Sequence, residues 1–325
     1  MKRLVREFSS FPAFIVVLIS LLLLGACSSE VPNSSSDSLG EIDALGSQIA
    51  LQEPAQTVVT IAPGATEIVY AAGGLDRLIG VSNVDSYPEE VLSLPLFSVL
   101  PLDIEAIAAM DPDLIIASDQ VNDPKDADIF EMLGIPIFYL KTASWKDVKE
   151  SIGITGRLLG SSEIAAASMD SLEVRVQLLR QATANISDKP TAIMLVSAVT
   201  SYSFGPGSYV LDIMEWAGVT SLTQDAETAA PNLSDEFVLA SDPDMIFGTF
   251  GTDFELESIL EHHPSWRTLS AYKNGHIYSI EGDLILRPGP RNVDAAYQMA
   301  LMAHPNLDFS DRSSLDTVMI DEVGN

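Results

Sequence analysis

One cysteine, four histidines and 17 lysines and arginines are spread over 325 residues, and each shortage excludes something. A lone thiol has no internal partner, so no disulfide framework supports the fold. The histidines are His262, His263, His276 and His304. A zinc or manganese receptor wants several ligands converging from separate segments, and these do not offer them. His262 and His263, adjacent beside Pro264, read as surface residues at a helix end. No resident metal and no cofactor is expected. Against 46 acidic residues the few basic ones leave a net charge of −29. Nucleic acid, which needs a basic footprint, is a poor partner. A nucleophile elbow, a Walker loop, a GxGxxG fingerprint and a metalloprotease helix are also missing. "GPGS" at Gly205 to Ser208 offers an anion a helix N-terminus, which is too little to make the chain an enzyme. What remains is ample for a core: 47% of residues are hydrophobic, so disorder is not the reading. Such an acidic body is soluble and self-repelling, which favours a monomer.

The cysteine sits in "LLLLGACSSE", Leu21 to Glu30. Lys2, Arg3 and Arg6 precede it, then an apolar run from Phe11 to Leu24, then small residues. This is the three-part build of a secretory signal peptide, residues 1–26. The apolar run is shorter than the roughly 20 residues a spanning helix needs. Leu-Gly-Ala-Cys resembles a bacterial lipobox. That resemblance implies cleavage before Cys27, acylation of its thiol and a body held by lipid outside the cytoplasm. Cleavage would remove three basic residues and Glu7, a net of +2, taking −29 to −31. Residues 27–55, with Ser34-Ser35-Ser36, read as a flexible stalk.

From Gln56 the texture changes to alternating strands and helices, which implies parallel sheets covered on both faces. Val58 to Ala62, Leu78 to Val81, Leu114 to Ala117 and Ile137 to Leu140 read as strands, with helices at Thr66 to Ala72 and Asp126 to Leu133. Residues 56–143 form a first lobe. Residues 144–187 carry no strand signal. Ser144 caps one helix, Gly160-Ser161-Ser162-Glu163 breaks it, and a second runs to about Thr183. This long helical segment reads as a strut. The strand–helix texture returns over 188–310 as a second lobe, and 311–325 is a tail.

An internal echo supports two similar lobes. "LDIEAIAAMDPDLIIAS" (Leu102 to Ser118) and "LSDEFVLASDPDMIFGT" (Leu233 to Thr249) agree at seven of 17 positions. Background usage gives about one. Duplicated units on either side of a long helix imply two lobes facing across a cleft.

The order and spacing of several stretches then carry a resemblance. "TVVTIAPGATEIVYAAGGLDRLIGVS", the echo units, "FGPGSYVLDIMEWAG" and "YKNGHIYSIEGDLILRPGPR" resemble the helical-backbone substrate-binding proteins of ABC importers. That group captures cobalamin, haem and ferric siderophores. The resemblance spans roughly Gln56 to Pro305. It implies an α/β fold of two lobes, each a small parallel sheet flanked by helices, joined by a backbone helix. It also implies a ligand held between the lobes and a partner permease dimer with its ATPase subunits. Cobalamin or a related corrinoid is the first expectation. A ferric siderophore or haem is the alternative, and a sensor without transport a further one.

Residue by residue, Glu105 and Glu236 hold the same place in the echo. Each is a helix N-terminal acid of the kind the dipole favours. The resemblance implies that they dock on arginines of the permease. By the same resemblance, Asp283 and Arg287 fall on ligand-contacting positions. Arg287 offers a planar fork to an acidic group, and either it or Arg291 can instead satisfy backbone carbonyls or an acidic neighbour. Tyr202 and Phe250 follow strands at their C-terminal ends, where ligands bind in parallel sheets. Their rings can stack on a flat ligand or serve the core. Gly64, Ala65, Tyr87 and Ser118 lie in first-lobe loops expected at the same cleft, with Tyr87 or Tyr202 available as an axial ligand for haem. Val84, Val99 and Ser118 stand where a cobalamin-binding relative carries aromatics, so the stacking surface is thinner here.

Overall fold

The computed structural model describes residues 39–251 and 256–307. The expected signal peptide, Cys27 and the tail lie outside the described residues. Two short strands come first, β1 (Leu39–Ile42) and β2 (Gln48–Leu51), paired antiparallel as a hairpin. This corrects the expectation of a flexible stalk to residue 55. The hairpin is seated on the body: Ala44 N donates to Tyr139 O at 2.8 Å, and Arg157 is ion-paired with Glu41.

The first lobe then alternates as expected. It contains β3 (Val58–Thr60), α1 (Pro63–Ala71), β4 (Leu78–Ser82), β5 (Leu96–Phe97), α2 (Ile104–Ala109), β6 (Leu114–Ser118), α3 (Lys125–Met132) and β7 (Ile137–Leu140). Its five strands are all parallel, in the order β5-β4-β3-β6-β7. Two helices follow, α4 (Trp145–Leu159) and α5 (Ser162–Thr183). Ser144 and Asp147 close a capping box at the start of α4, and Gly160 ends it at φ 72°, a left-handed conformation that favours glycine. The chain doubles back there. A Cβ on Gly156 would lie 2.5 Å from that of Ala165, so only glycine lets the two helices approach so closely. The strut is thus a hairpin of helices. Its 22-residue arm spans about 33 Å, touching α1 in the first lobe and the helices of the second.

The second lobe contains β8 (Thr191–Leu195), α6 (Tyr209–Trp216), β9 (Thr220–Ser221), α7 (Asp235–Ser241), β10 (Met245–Gly248), α8 (Leu256–His262), α9 (Ser270–Lys273), β11 (Ile277–Ser279), α10 (Gly282–Ile285) and α11 (Asn292–Ala303). Its four strands are parallel, in the order β11-β10-β8-β9.

Period-2 alternation sends successive strand residues to opposite faces. In the first lobe Val58, Leu114, Ile116, Phe138 and Leu140 face inward. Val59, Ile115, Ala117 and Ile137 face an outer cluster under α2 and α3. In the second lobe Ala192, Met194, Met245 and Phe247 face inward, while Ile193, Leu195 and Ile246 face their own outer cluster. The two inward sets belong to one continuous core, joined through Trp145, Ile152, Leu172 and Val176 of the helical hairpin.

The echo extends to backbone geometry. Asp111 and Asp242, equivalent in the two units, both take positive φ, 49° and 41°. Two residues on, Asp113 accepts the backbone N–H of Gln56 and Thr57, and Asp244 accepts that of Thr191, at 2.8–2.9 Å. Each acid thereby ties the start of its own strand to the neighbouring one. The N–H of Gln56, with that of Thr57, holds the Asp113 carboxyl below its ordinary value. A depressed native value stabilises the fold above the unfolded value near 3.8 and loses that contribution as pH falls through the native one. Asp113→Ala should therefore lower the urea midpoint at pH 7. The gap to the parent should narrow as pH falls below the unfolded value and through the depressed native one, where Asp113 becomes protonated in both states.

Candidate functional site

In a parallel sheet all strands end at one edge, and side chains on the loops beyond that edge are free to meet a ligand. Here those loops carry exposed apolar side chains. Val84 follows β4, Leu100 follows β5 and Val121 follows β6. In the second lobe Val199 and Tyr202 follow β8, and Leu286 ends α10, the short helix after β11. Leu100 is 91% exposed and Tyr202 49%.

Beside these loops the lobes meet in a polar seam. Arg287 ion-pairs with Asp283 at 2.8 Å and reaches across to the first lobe, donating to Ser86 Oγ at 2.7 Å and Val84 O at 2.9 Å. Ser86 Oγ also donates to Asp283 at 2.7 Å, which closes a ring. Deeper in, Arg291 grips Glu67 of α1 with two bonds, at 2.6 and 3.0 Å. Glu67 is 1% exposed. Burial pushes its carboxyl up, against the pull of Arg291, and leaves it above the ordinary value. The Arg291 guanidinium lies 4.3 Å over the Tyr87 ring, whose edge meets Tyr70. Between these two ties the Pro288 carbonyl presses on Gly64, where a Cβ would sit 2.6 Å from it.

The expected site residues separate into three groups. Gly64, Tyr87, Asp283 and Arg287 come together at the seam. Ala65 is buried beside Gly64 in the first turn of α1, and Ser118 is buried at the end of β6, where its hydroxyl meets that of Thr142 at 2.9 Å. Tyr202 and Phe250 lie on second-lobe loops. Tyr202 is bridged to Asn232, and Phe250 packs half-buried against the outer cluster. Burial, aided by the charge of Tyr70, pushes the Tyr87 hydroxyl up to about 12. A phenolate at that position is therefore disfavoured.

Glu67 was not anticipated, and Ser86 only as part of the loop Asn83 to Tyr87 expected at the cleft. The signal for Glu67 was present: a carboxylate beside Ile68 and Val69 on the buried face of α1 requires a cation, and "RPGPR" supplies it. Asp85 is buried nearby with its carboxyl raised, by burial first, and it accepts the N–H of Ser82 at 2.9 Å. One expectation is corrected. His263 is buried rather than at the surface, because the turn Pro264–Thr268 folds back over α7. Its Nδ1 lies 2.9 Å from Asp235, which also accepts the Trp266 indole N–H. His262 is exposed. Among the described residues no cluster of three His, Cys, Asp or Glu side chains is placed to hold a metal ion.

Glu105 and Glu236 occupy the same helical position, the second residue of α2 and of α7. Asp103 and Ser234 cap the two helices in the same way, accepting the N–H of Ala106 and of Phe237. Each helix runs down to the start of the next strand, β6 or β10, so both first turns lie level with the loop edge. Both glutamates are exposed and make no ion pair among the described residues.

Comparison with known proteins agrees with this geometry. Residues 58–284 match the family described as periplasmic binding protein. The vitamin B12-binding protein of Vibrio cholerae is 29% identical over 259 residues, covering 78% of this chain and 91% of its own. Its solved structure superposes with a TM-score of 0.66 at 28% identity, covering 77% of this chain and 97% of that one. An uncharacterised ABC transporter substrate-binding lipoprotein of Bacillus subtilis, YvrC, is 24% identical over 276 residues, covering 81% and 85%. A cobalamin-binding protein of Halobacterium salinarum is 25% identical over 313 residues, covering 90% and 84%.

Proposed function

Because this chain belongs to the periplasmic binding protein family, we propose that it captures cobalamin or a related corrinoid between its lobes and delivers it to an ABC permease. The observation that carries this reading is that relatives named as cobalamin binders match it across both lobes. The site chemistry is in keeping. Capture needs no bond made or broken, only apolar contact with a large flat ligand and a few polar anchors. Val84, Val121, Val199 and Leu286 offer aliphatic surface, and Tyr202 an exposed ring. Haem is one alternative cargo, with Tyr87 or Tyr202 as the axial ligand it would need. A ferric siderophore is the remaining alternative. Titration of the purified protein with cyanocobalamin, haemin and a ferric hydroxamate, followed by absorbance and calorimetry, tests the reading. Cyanocobalamin should bind tightest, and Tyr202→Ala should weaken it about tenfold, or about 1.4 kcal/mol. Tighter binding of haemin or the hydroxamate would overturn it.

Glu105 and Glu236 are the docking carboxylates in this proposal. Two equivalent lobes meeting a two-fold permease would present equivalent groups to it. Reversing both charges should leave cobalamin affinity within about threefold. Uptake by cells carrying the cognate permease should collapse. A steep loss of affinity would instead place the pair in the cleft or the fold.

The thiol of Cys27 is the proposed lipid anchor, on the strength of Leu-Gly-Ala-Cys behind an apolar run. Cys27→Ser should abolish acyl labelling and move the protein out of the membrane fraction. Unchanged retention would point to a different attachment.

A further inference from the structure

We infer that Arg287 and Arg291, with Gly64, form a clasp that holds the two lobes at a fixed separation before any ligand arrives. Arg287 is thereby a positioning residue for the cleft. This goes beyond the cobalamin reading and does not depend on which ligand the cleft takes.

Three contacts cross the same short stretch of the lobe boundary. The first is the Glu67–Arg291 pair, with Glu67 buried and the side chain of Arg291 12% exposed. Separating these groups would strand a carboxylate in a dry site, so this contact does not open and close freely. The second is the outer ring of Arg287, Asp283, Ser86 and the Val84 carbonyl. Here Arg287 uses its fork on the first lobe with Asp283 beside it, so both groups are engaged without a ligand. The third is steric. Gly64 meets a backbone carbonyl, that of Pro288, and any larger residue must push the 287–291 loop away from α1.

The three contacts have different jobs. The buried pair fixes the position of the lobes, the contact at Gly64 sets how closely they approach, and the Arg287 ring sits at the solvent end. Val84 and Leu286, two of the exposed apolar residues of the proposed cleft, are carried on the chain segments that the ring joins. Cleft width at those residues is therefore a property of the ring.

The test measures lobe separation in ligand-free protein. In a Cys27→Ser background, spin labels at Glu131→Cys and Glu261→Cys, both exposed and one on each lobe, report the distance by double electron–electron resonance. The parent should give one narrow distribution. Arg287→Ala and Gly64→Ser should each move the mean outward by more than about 2 Å, the scale of a domain rearrangement, or broaden it. Arg287→Lys, a point charge without the fork, should fall between. Circular dichroism checks that each variant is folded. Should Arg287→Ala not fold, Ser86→Ala, which removes only the first-lobe hydroxyl, is read in its place and should broaden the distribution. Parent-like distributions in the folded variants would overturn the clasp. Because the readout needs no ligand, failure of cyanocobalamin to bind would leave this result standing, and the converse holds too.

Discussion

The two lobes share the larger part of their interior. Their sheets turn one face outward to a private cluster and the other inward to a core that runs unbroken through the helical hairpin. Apolar surface leaving water contributes about 25 cal/mol per Å², so hinging the lobes far apart would expose that shared interior at a steep penalty. The arrangement of strands, helices and seam follows from this constraint. Helices α4 and α5 can serve as a backbone because they are part of the core. The boundary near α1 can carry charges because it lies at the margin of that core, where Arg291 can reach Glu67 and still keep an edge near solvent.

Placement of the candidate groups then follows from topology. Parallel strands deliver their loops to one edge, and the duplicated helix–strand unit delivers two equivalent first turns to the same level. The duplication is not merely of sequence. The left-handed aspartates and the strand-tying aspartates recur in both lobes with the same geometry. The lobes differ beside Glu236. Asp235, before it, is held by His263 and Trp266, whereas the matching Ile104 packs on the outer cluster of its lobe.

Much of this was legible in the sequence, and the parts that were not share a cause. Strand and helix positions followed from local periodicity, and the break at Gly160 from glycine followed by a serine cap. The echo "EAIAAMDPD" against "EFVLASDPD" announced the two lobes. The pairing of Glu67 with Arg291 joins residues 224 positions apart, and no local pattern encodes such a distance. Arg287 read as a ligand anchor because a fork in a stiff loop is good for that task. Its engagement with Val84 and Ser86 is a tertiary fact. His263 read as exposed because it stands beside His262 and Pro264 at a helix end, while its burial depends on a turn that folds back from beyond it. The hairpin was missed because "LGEI" and "QIAL" are four-residue strands in a serine-rich setting, too short for alternation to stand out.

That hairpin has a consequence for the chain as a material. Strand β7 is the last in its sheet, and a bare edge of hydrogen-bonding groups is a template on which another chain can add. Ala44 occupies the Tyr139 carbonyl, and Asp43 stands at the Tyr139 N–H. The family match begins only at Val58, so the hairpin lies outside it. A body beginning at Val58 would keep the strands of both sheets yet present β7 uncovered. The first 19 described residues before Val58 thus act as a selvedge, finishing the margin of the sheet against fraying into its neighbours.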